Sequence, residues 1–384
     1  MSDPQRRCDP PSFRHPRLLT ELAWITGLAC LCTLILGWNL NAEPHFPDES
    51  AYFSQSYYAR LFVEGAWNDV AWLDYPAYDL PPLPKYLIGG AVGMAGYRWP
   101  TPADARAWYG DISRRFEPPG ALFAARLPIL ALGVLGCLAA FGIGRCVSGS
   151  TAGTLTAVLL AINPLYRLLS RRAMSDIPCE SFTLVALGMG LVAWIWWQRG
   201  ARSGLALLLS AGSGVAVGLS LLCKMSGLLG LLVLCGWGAL GLVASARRSL
   251  IQLAAMAGLT LSAAAGTFLM LNPYVLAAPR PPLPAAVRAI AGMSPLARAT
   301  RLVTLRVEVA RGQKLLFPHN AVNTPGEKVQ TSLIQGFGRF GLFGPIHSDS
   351  TRRYDWNQDA GAPIWLGFVT WGIWCCWREG SRQR

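Results

Sequence analysis

The chain has 384 residues, of which 52% are hydrophobic and 14% charged, and its mean hydropathy is +0.33. Soluble domains carry roughly 25% charged residues, so this composition excludes an ordinary soluble protein and indicates a membrane protein. The formal net charge of +13 does not indicate a nucleic-acid partner, because the basic residues are scattered between apolar runs. We interpret the charge as that of a membrane protein in contact with anionic lipid.

A membrane-spanning helix takes roughly 20 apolar residues, and the chain offers these in a series of runs. They are 18–38, 121–145, 150–169, 177–197, 204–222, 226–246, 250–271 and 362–377. A further run, 83–97, is shorter and begins at Pro84-Lys85. The sequence therefore predicts an all-α polytopic helix bundle with about eight spanning helices, organised as one membrane domain over 1–384.

The arginines orient these runs, because short cytoplasmic loops are enriched in Lys and Arg. The basic residues before the first run place the N-terminus in the cytoplasm; they are Arg6, Arg7, Arg14 and Arg17. If 83–97 also spanned the membrane, the arginine-bearing loops near 199–202 and 247–248 would move outside. We therefore predict that 83–97 is a helix lying along the outer surface of the plasma (inner) membrane.

This topology gives two large outer segments. The first, 39–120, holds juxtamembrane helices, and six spans over 121–276 separate it from the second, 277–361. In the second, basic residues interleave with apolar ones, which predicts amphipathic helices lying on anionic lipid. These basic residues are Arg288, Arg298, Arg301, Arg306, Arg311 and Lys314.

Adjacent carboxylates, Asp48 and Glu49, follow the first span in PHFPDESAYF. Carboxylates at the start of a helix favour its N-terminal dipole, so a purely structural capping role is one interpretation. The other is a general base at the membrane surface, where partial burial tunes its pKa.

Cations in the outer segments are the second group of candidates. Lys85 lies in the first turn of the 83–97 helix, where it either snorkels to the headgroups or holds a lipid phosphate. Arg126 lies at the outer end of the second span. Arg171 and Arg172 occupy a short outer loop and need an anionic partner, either Asp176 or a ligand phosphate.

Lys224 stands between two apolar runs at the outer face. It either marks the turn or serves a function, since ionisable groups at such depth are functional candidates in membrane proteins. A divalent metal is left open: His45, Asp48 and Glu49 offer ligand atoms, but they lack the paired spacing of a zinc site. We therefore assign no metal ligand.

The order of these motifs resembles the polyprenyl-phosphate-dependent glycosyltransferases of the GT-C fold. Asp48-Glu49, PPLPKYLIG, Arg126, SRRAMSD and the Cys-Lys hairpin of Lys224 occur in one order over roughly 20–275. Within that group the chain is similar to the family of protein O-mannosyltransferases and lipid A aminoarabinose transferases. Asp79-Leu80 precedes the two prolines where that family usually has His.

The resemblance implies transfer of a sugar from a polyprenyl-phosphate carrier to an acceptor hydroxyl on the non-cytoplasmic face, with inversion. Asp48 would act as base, with Glu49 and Asp176 orienting the groups around it. Lys85, Arg126, Arg171, Arg172 and Lys224 would bind the donor phosphate. The expected partners are the donor, a protein, lipid or glycan acceptor, and membrane lipid.

Two alternatives from other classes stay open. A transporter or lipid flippase would show repeats and ionisable residues near the bilayer midplane, whereas here these residues cluster in the outer segments. A catalytically silent membrane scaffold would have no use for an intact Asp-Glu pair and its accompanying cations.

Overall fold

The computed structural model describes residues 16–112, 115–198, 203–244 and 250–316, together with 324–326, 367, 370, 371 and 374. All its regular elements in these ranges are helical. The α-helices are α1 (Pro16–Gly37), α2 (Pro47–Ser54), α3 (Tyr57–Val63), α4 (Tyr75–Asp79), α5 (Pro82–Met94), α6 (Pro102–Gly110), α7 (Pro119–Ile162), α8 (Pro164–Ser170), α9 (Asp176–Gln198), α10 (Ser203–Cys223), α11 (Leu228–Ala244), α12 (Leu250–Met270), α13 (Pro273–Leu276), α14 (Ala285–Ala291) and α15 (Pro295–Leu316). The all-α prediction is confirmed.

Six helices of the described part are long and apolar enough to cross a membrane: α1, α7, α9, α10, α11 and α12. The last four correspond to the predicted spans 177–197, 204–222, 226–246 and 250–271. Helix α7 has 44 residues, about twice the length that a bilayer requires. It therefore accounts for two of the predicted spans.

Helix α7 breaks at Ser148 and Gly149, where Gly149 has φ 85° and so takes a left-handed conformation that glycine favours. The second arm folds back on the first. A Cβ added to Gly153 would lie 2.5 Å from the carbonyl oxygen of Phe141 and 3.0 Å from the nitrogen of Arg145. Such contacts are out of reach in a straight helix, so the two arms form an antiparallel pair.

The predicted span 150–169 is not one continuous helix. The second arm of α7 ends at Ile162, and α8 begins at Pro164 after an interruption at Asn163. Proline has no N–H to continue the helical ladder, and the Asn163 side chain accepts from the backbone N–H of Tyr166 at 3.0 Å to cap α8. The chain therefore bends before it reaches the loop that carries Arg171 and Arg172.

Helix α5, predicted as 83–97, has 13 residues and a length of about 20 Å, too short to cross a hydrocarbon layer of about 30 Å. It packs between α3 and α7 instead. Ile88 and Val92 lie fully buried with Ala121 and Ala125 of α7 in one cluster. Helix α5 is therefore a packed part of the first outer segment, 39–120, which we also call the first loop.

Close approach of small residues sets the packing of α10 on α12. A Cβ on Gly214 would lie 2.2 Å from the carbonyl oxygen of Thr260, which is possible only for glycine. Thr260 also donates its hydroxyl to the carbonyl of Ser210 at 3.0 Å across the same contact. Small-residue contacts and interhelical hydrogen bonds are the usual means of helix association in membranes.

The spanning helices alternate in direction, so the end of α1, the starts of α7 and α9, and the ends of α10 and α12 lie together. We call this end of the bundle the loop end; it carries α2–α6 and α13–α15. The predicted last span, 362–377, and the loops 199–202 and 245–249 lie outside the described residues, apart from positions 367, 370, 371 and 374.

Candidate active site

Asp48 and Glu49 occupy the first turn of α2, which begins at Pro47. The Glu49 carboxylate accepts from the backbone N–H of Phe46 at 3.1 Å and thereby caps its own helix. Asp48 stays exposed, whereas Glu49 is fully buried. The two adjacent carboxylates therefore have different environments and different roles.

Glu49 forms a bidentate ion pair with Arg126. Arg126 donates from Nε to Oε1 and from Nη2 to Oε2, both at 2.8 Å, and the pair is buried. Its remaining N–H groups donate to the backbone carbonyls of Leu40, Glu43 and Pro44 at 3.0–3.4 Å. A guanidinium has five N–H donors, and all of them are occupied. Arg126 therefore binds the loop backbone, and the structure does not present it to a donor phosphate.

The same carboxylate organises the loop between α8 and α9. Glu49 Oε1 also accepts from the backbone N–H of Ala173 at 2.8 Å. The two arginines before Ala173 face Glu43: Arg172 lies 3.3 Å and Arg171 3.9 Å from its carboxylate. Glu43, which the sequence analysis did not single out, is thus the anionic partner of both arginines.

Arg171 and Arg172 differ in the contacts that their guanidinium groups make. Arg171 donates from Nε to the carbonyl of Leu36 at 3.0 Å, while its Nη2 is buried with no hydrogen-bond partner in the described residues. Arg172 lies over the ring of Phe46, 4.5 Å from its centroid. Both guanidinium groups are partly exposed, so they retain donors for a ligand.

Asp176 and Lys224 form the second ion pair of the loop end. Lys224 Nζ donates to Asp176 Oδ1 at 2.6 Å, and the two side chains are 48% and 25% exposed. Asp176 begins α9, whereas Lys224 follows the end of α10. The anionic partner predicted for the arginine pair is therefore bound to Lys224.

Asp48 lies within the electrostatic field of these groups. Asp48 keeps an exposed surface, but the many protein atoms around it partly desolvate its carboxylate; this is the largest effect on its pKa and raises it, and the negative charge of Asp176 raises it further. Lys224 and Arg172 lower the same pKa. We call Asp48, Arg172, Asp176 and Lys224 the charged cluster; the structure brings these four predicted residues together.

Tyr52 lies beside the charged cluster. It lies one helical turn after Asp48 on α2 and is buried, with its hydroxyl near Ser175. Burial raises the pKa of Tyr52 far above its ordinary value, and the charges of Asp176 and Asp48 add to this. A buried, neutral hydroxyl of this kind positions neighbouring groups and does not act as a base.

Lys85 is not part of the charged cluster. Its side chain is almost fully buried, its ammonium donates to the carbonyls of Pro76 and Ala77, and it lies 5.0 Å from the ring centroid of Tyr58. Burial without a bound carboxylate lowers the pKa of Lys85 well below its ordinary value. The structure places this ammonium on the backbone of α4, and its role in binding a donor phosphate stays a prediction.

The three side chains weighed as metal ligands do not converge. His45 instead lies 2.9 Å from Glu117 and 2.8 Å from the hydroxyl of Ser50, which in turn donates to Glu117 at 2.8 Å. Within the part of the chain that the structure describes, no three His, Cys, Asp or Glu side chains are grouped to hold a metal ion.

Two cavities differ in chemistry and position. A cavity of about 410 Å³ lies between α9, α10, α11 and α12 and has an apolar lining that includes Trp194, Leu234 and Trp237. A crevice of about 30 Å³ lies at the loop end, where Met225, next to Lys224, and Arg306 of α15 both line it. The crevice adjoins the charged cluster, whereas the larger cavity holds no charged side chain.

A family model described as dolichyl-phosphate-mannose-protein mannosyltransferase matches residues 74–278, more than half of the chain. The match includes Lys85, Arg126, Arg171, Arg172, Asp176 and Lys224, whereas Asp48 and Glu49 precede it. No individual curated protein matches the chain at a significant level.

Proposed function

Because the chain belongs to the dolichyl-phosphate-mannose-protein mannosyltransferase family, a family of membrane glycosyltransferases that use a polyprenyl-phosphate-sugar donor, we propose the following reaction. The protein transfers a sugar from a polyprenyl-monophosphate carrier to an acceptor hydroxyl, with inversion at the anomeric carbon. Transfer takes place at the loop end, on the non-cytoplasmic face of the plasma membrane.

The observation that carries this proposal is the environment of Asp48. An exposed carboxylate lies in the field of two cations, Lys224 and Arg172, and of a second carboxylate, Asp176. Transfer from a phosphate carrier needs a base for the acceptor and cations for the leaving group. The loop end supplies both the carboxylate that would act as base and the cations.

In the proposed step, the acceptor oxygen attacks the anomeric carbon and the bond from that carbon to the phosphate oxygen breaks. The leaving polyprenyl phosphate takes the bonding electron pair, and the acceptor proton passes to Asp48. The raised pKa of Asp48 makes it a stronger base than an ordinary aspartate. Attack from the face opposite the phosphate inverts the anomeric carbon.

The leaving phosphate gains charge as the bond breaks, and fixed cations stabilise that charge. Lys224 is the most exposed of the predicted cations in the site, and Asp176 orients it at 2.6 Å. Arg172 and Arg171 keep unoccupied donors beside Glu43. Glu49 and Arg126 act as positioning residues, since they fix the loop that carries Arg171, Arg172 and Asp176.

The arginine distribution supports the non-cytoplasmic face, because it predicts a cytoplasmic N-terminus. Helix α1 then ends on the opposite side, and the rest of the loop end lies with it. The polyprenyl chain of the donor would remain in the bilayer while its phosphate lies at the membrane surface.

The test is a transfer assay with radiolabelled polyprenyl-phosphate sugars, native extract as acceptor, and the wild type, Asp48→Asn or Glu64→Gln in membranes. Glu64 is a matched control, because it lies in the same loop and pairs with Arg60 at the exposed surface. We expect Asp48→Asn to lower kcat by about 10²–10⁴-fold and Glu64→Gln to leave it unchanged.

Binding of polyprenyl phosphate to the same membranes separates chemistry from binding. Asp48→Asn should bind this ligand as the wild type does, because the cations are intact. Undiminished transfer by Asp48→Asn would remove Asp48 as the base. Uptake of labelled solute into vesicles without any glycosylated product would favour the transporter alternative.

A further inference from the structure

Arg306 has different surroundings from Arg298 and Arg301 on the same helix. Arg298 is buried and donates to the backbone carbonyls of Tyr274, Ala277, Ile290 and Ala291. Arg301 pairs with Glu308 at the exposed surface, 2.8 Å away. Arg306 lines the crevice of the loop end, and among the described residues it has no carboxylate partner.

One hydrogen bond fixes Arg306 over the first loop. Its Nη2 donates to the backbone carbonyl of Tyr78 at 3.1 Å, so α15 is attached to α4. The positive charge of Arg306 also acts on the hydroxyl of Tyr52, which feels Asp48 and Asp176 as well. Arg306 therefore lies close enough to α2 to act on Tyr52, the same side chain that Asp48 and Asp176 act on.

The lining of the crevice combines polar and apolar side chains. Arg306 and Asn272 supply the polar groups, while Leu221, Met225, Phe268 and Leu302 supply apolar surface. A volume of about 30 Å³ holds only two or three waters, so a whole lipid-linked sugar does not fit. The crevice is therefore too small to enclose a phosphate and an isoprene unit, and it marks where the cationic Arg306 and an apolar surface lie side by side.

We infer that Arg306 binds the phosphate of the polyprenyl carrier, opposite Lys224, with the first isoprene unit against Phe268 and Leu302. This assignment rests on the proposed function and adds to it a cation from the second outer segment. It also gives that segment a role in the site: α15 carries a phosphate ligand over the first loop. Arg126 has all five donors occupied and Lys85 donates to two backbone carbonyls, so Arg306 is a further cation available for the phosphate.

The experiment measures binding of radiolabelled polyprenyl monophosphate to the purified full chain in nanodiscs, with unphosphorylated polyprenol as the comparison ligand. The variants are Arg306→Ala, Arg306→Gln and the control Arg301→Ala, which removes an equal charge from the same helix. Gln retains a donor for the Tyr78 carbonyl without the charge, so it separates loss of phosphate binding from loss of α15 packing.

A lost charge-assisted hydrogen bond should weaken phosphate binding about tenfold or more. We expect this loss in Arg306→Ala and Arg306→Gln, with polyprenol binding unchanged and Arg301→Ala close to the wild type. Wild-type affinity for polyprenyl phosphate in Arg306→Gln would overturn the assignment of Arg306 alone. Failure of the wild type to bind polyprenyl phosphate above polyprenol would overturn the proposed function as well.

Discussion

The Glu49 carboxylate and the Arg126 guanidinium form two parallel hydrogen bonds of 2.8 Å in the buried base of the loop end. Through this pair the first loop, the start of α7 and the loop before α9 are held in one arrangement, because Glu49 also accepts from Ala173. Every member of the charged cluster except Lys224 lies on one of these segments. The pair therefore holds the segments that carry these charged residues, which is the positioning role that we propose for it.

Removal of either partner should destabilise the fold strongly. Breaking a buried ion pair leaves an uncompensated charge and costs about 3–5 kcal/mol, so Glu49→Gln and Arg126→Ala should each unfold at a clearly lower temperature. The measurement is thermal unfolding in detergent. The exposed pair of Arg60 and Glu64 is the control, since Arg60→Ala should cost less than about 1 kcal/mol. Equal, small effects at both pairs would contradict the structural role.

Lys85 offers a second test of the distinction between structural and ligand-binding cations. Because its ammonium is buried on the carbonyls of Pro76 and Ala77, Lys85→Met should leave those carbonyls unpaired and cost about 1–3 kcal/mol. The donor KM of the folded variant should stay unchanged. Lys224→Met should show the reverse, with a raised donor KM and little loss of stability. A raised KM in Lys85→Met would return Lys85 to the phosphate site.

The sequence predicted the helix bundle well because the bilayer imposes a length and an apolar composition on each span. The break between 121–145 and 150–169 was also visible, since Ser148 and Gly149 interrupt the apolar run. The interruption at Asn163 was not predicted, because a single Asn-Pro step in an apolar run leaves the hydropathy unchanged. Its effect appears only in the backbone.

The site could be predicted only in part. Charged residues near the ends of spans could be predicted to lie close together, because helices that alternate in direction bring those ends together. These residues are Asp48, Arg172, Asp176 and Lys224. Sequence alone does not distinguish Arg298, Arg301 and Arg306, which have the same chemistry on one helix. Their roles depend on which face of α15 packs on α13 and α4, a long-range contact. For the same reason, nothing local pairs Arg126 with Glu49.

Helix α5 provides a test of the packing of the first loop. A Cβ on Gly89 would lie 2.2 Å from the carbonyl oxygen of Ser56 and 2.5 Å from Cβ of Ala59, whereas Gly90 has no such neighbour within 4 Å. Overpacking costs typically 1–3 kcal/mol, so Gly89→Ala should lower the unfolding temperature. Gly90→Ala should maintain or slightly raise it, because alanine favours the helix.

The outcome also bears on the topology. If α5 crossed the membrane with both glycines facing lipid, the two alanine variants would behave alike. A lower unfolding temperature in Gly89→Ala alone would support the packing of α5 against α3 within the first loop. Thermal unfolding of both variants in the same detergent makes the comparison, and activity of the folded fractions should remain similar.

The pH dependence of transfer provides the sharpest test of the charged cluster. As a base, Asp48 must be deprotonated, and its raised pKa places the acidic limb of kcat/KM above the ordinary aspartate value of about 3.9. Lys224 lowers that pKa, so Lys224→Ala should move the limb to higher pH. Asp176 raises it, so Asp176→Asn should move the limb to lower pH.

The ion pair between Asp176 and Lys224 strengthens both predicted shifts of the acidic limb. Loss of Lys224 leaves Asp176 as an unpaired anion beside Asp48, and loss of Asp176 leaves Lys224 as an unpaired cation. Both variants should also lose activity, but the pH at which the acidic limb falls does not depend on the maximal value of kcat/KM. Arg60→Ala should leave the limb in place, because Arg60 is absent from the field of Asp48. Shifts of the two variants in the same direction would exclude Asp48 as the group that titrates.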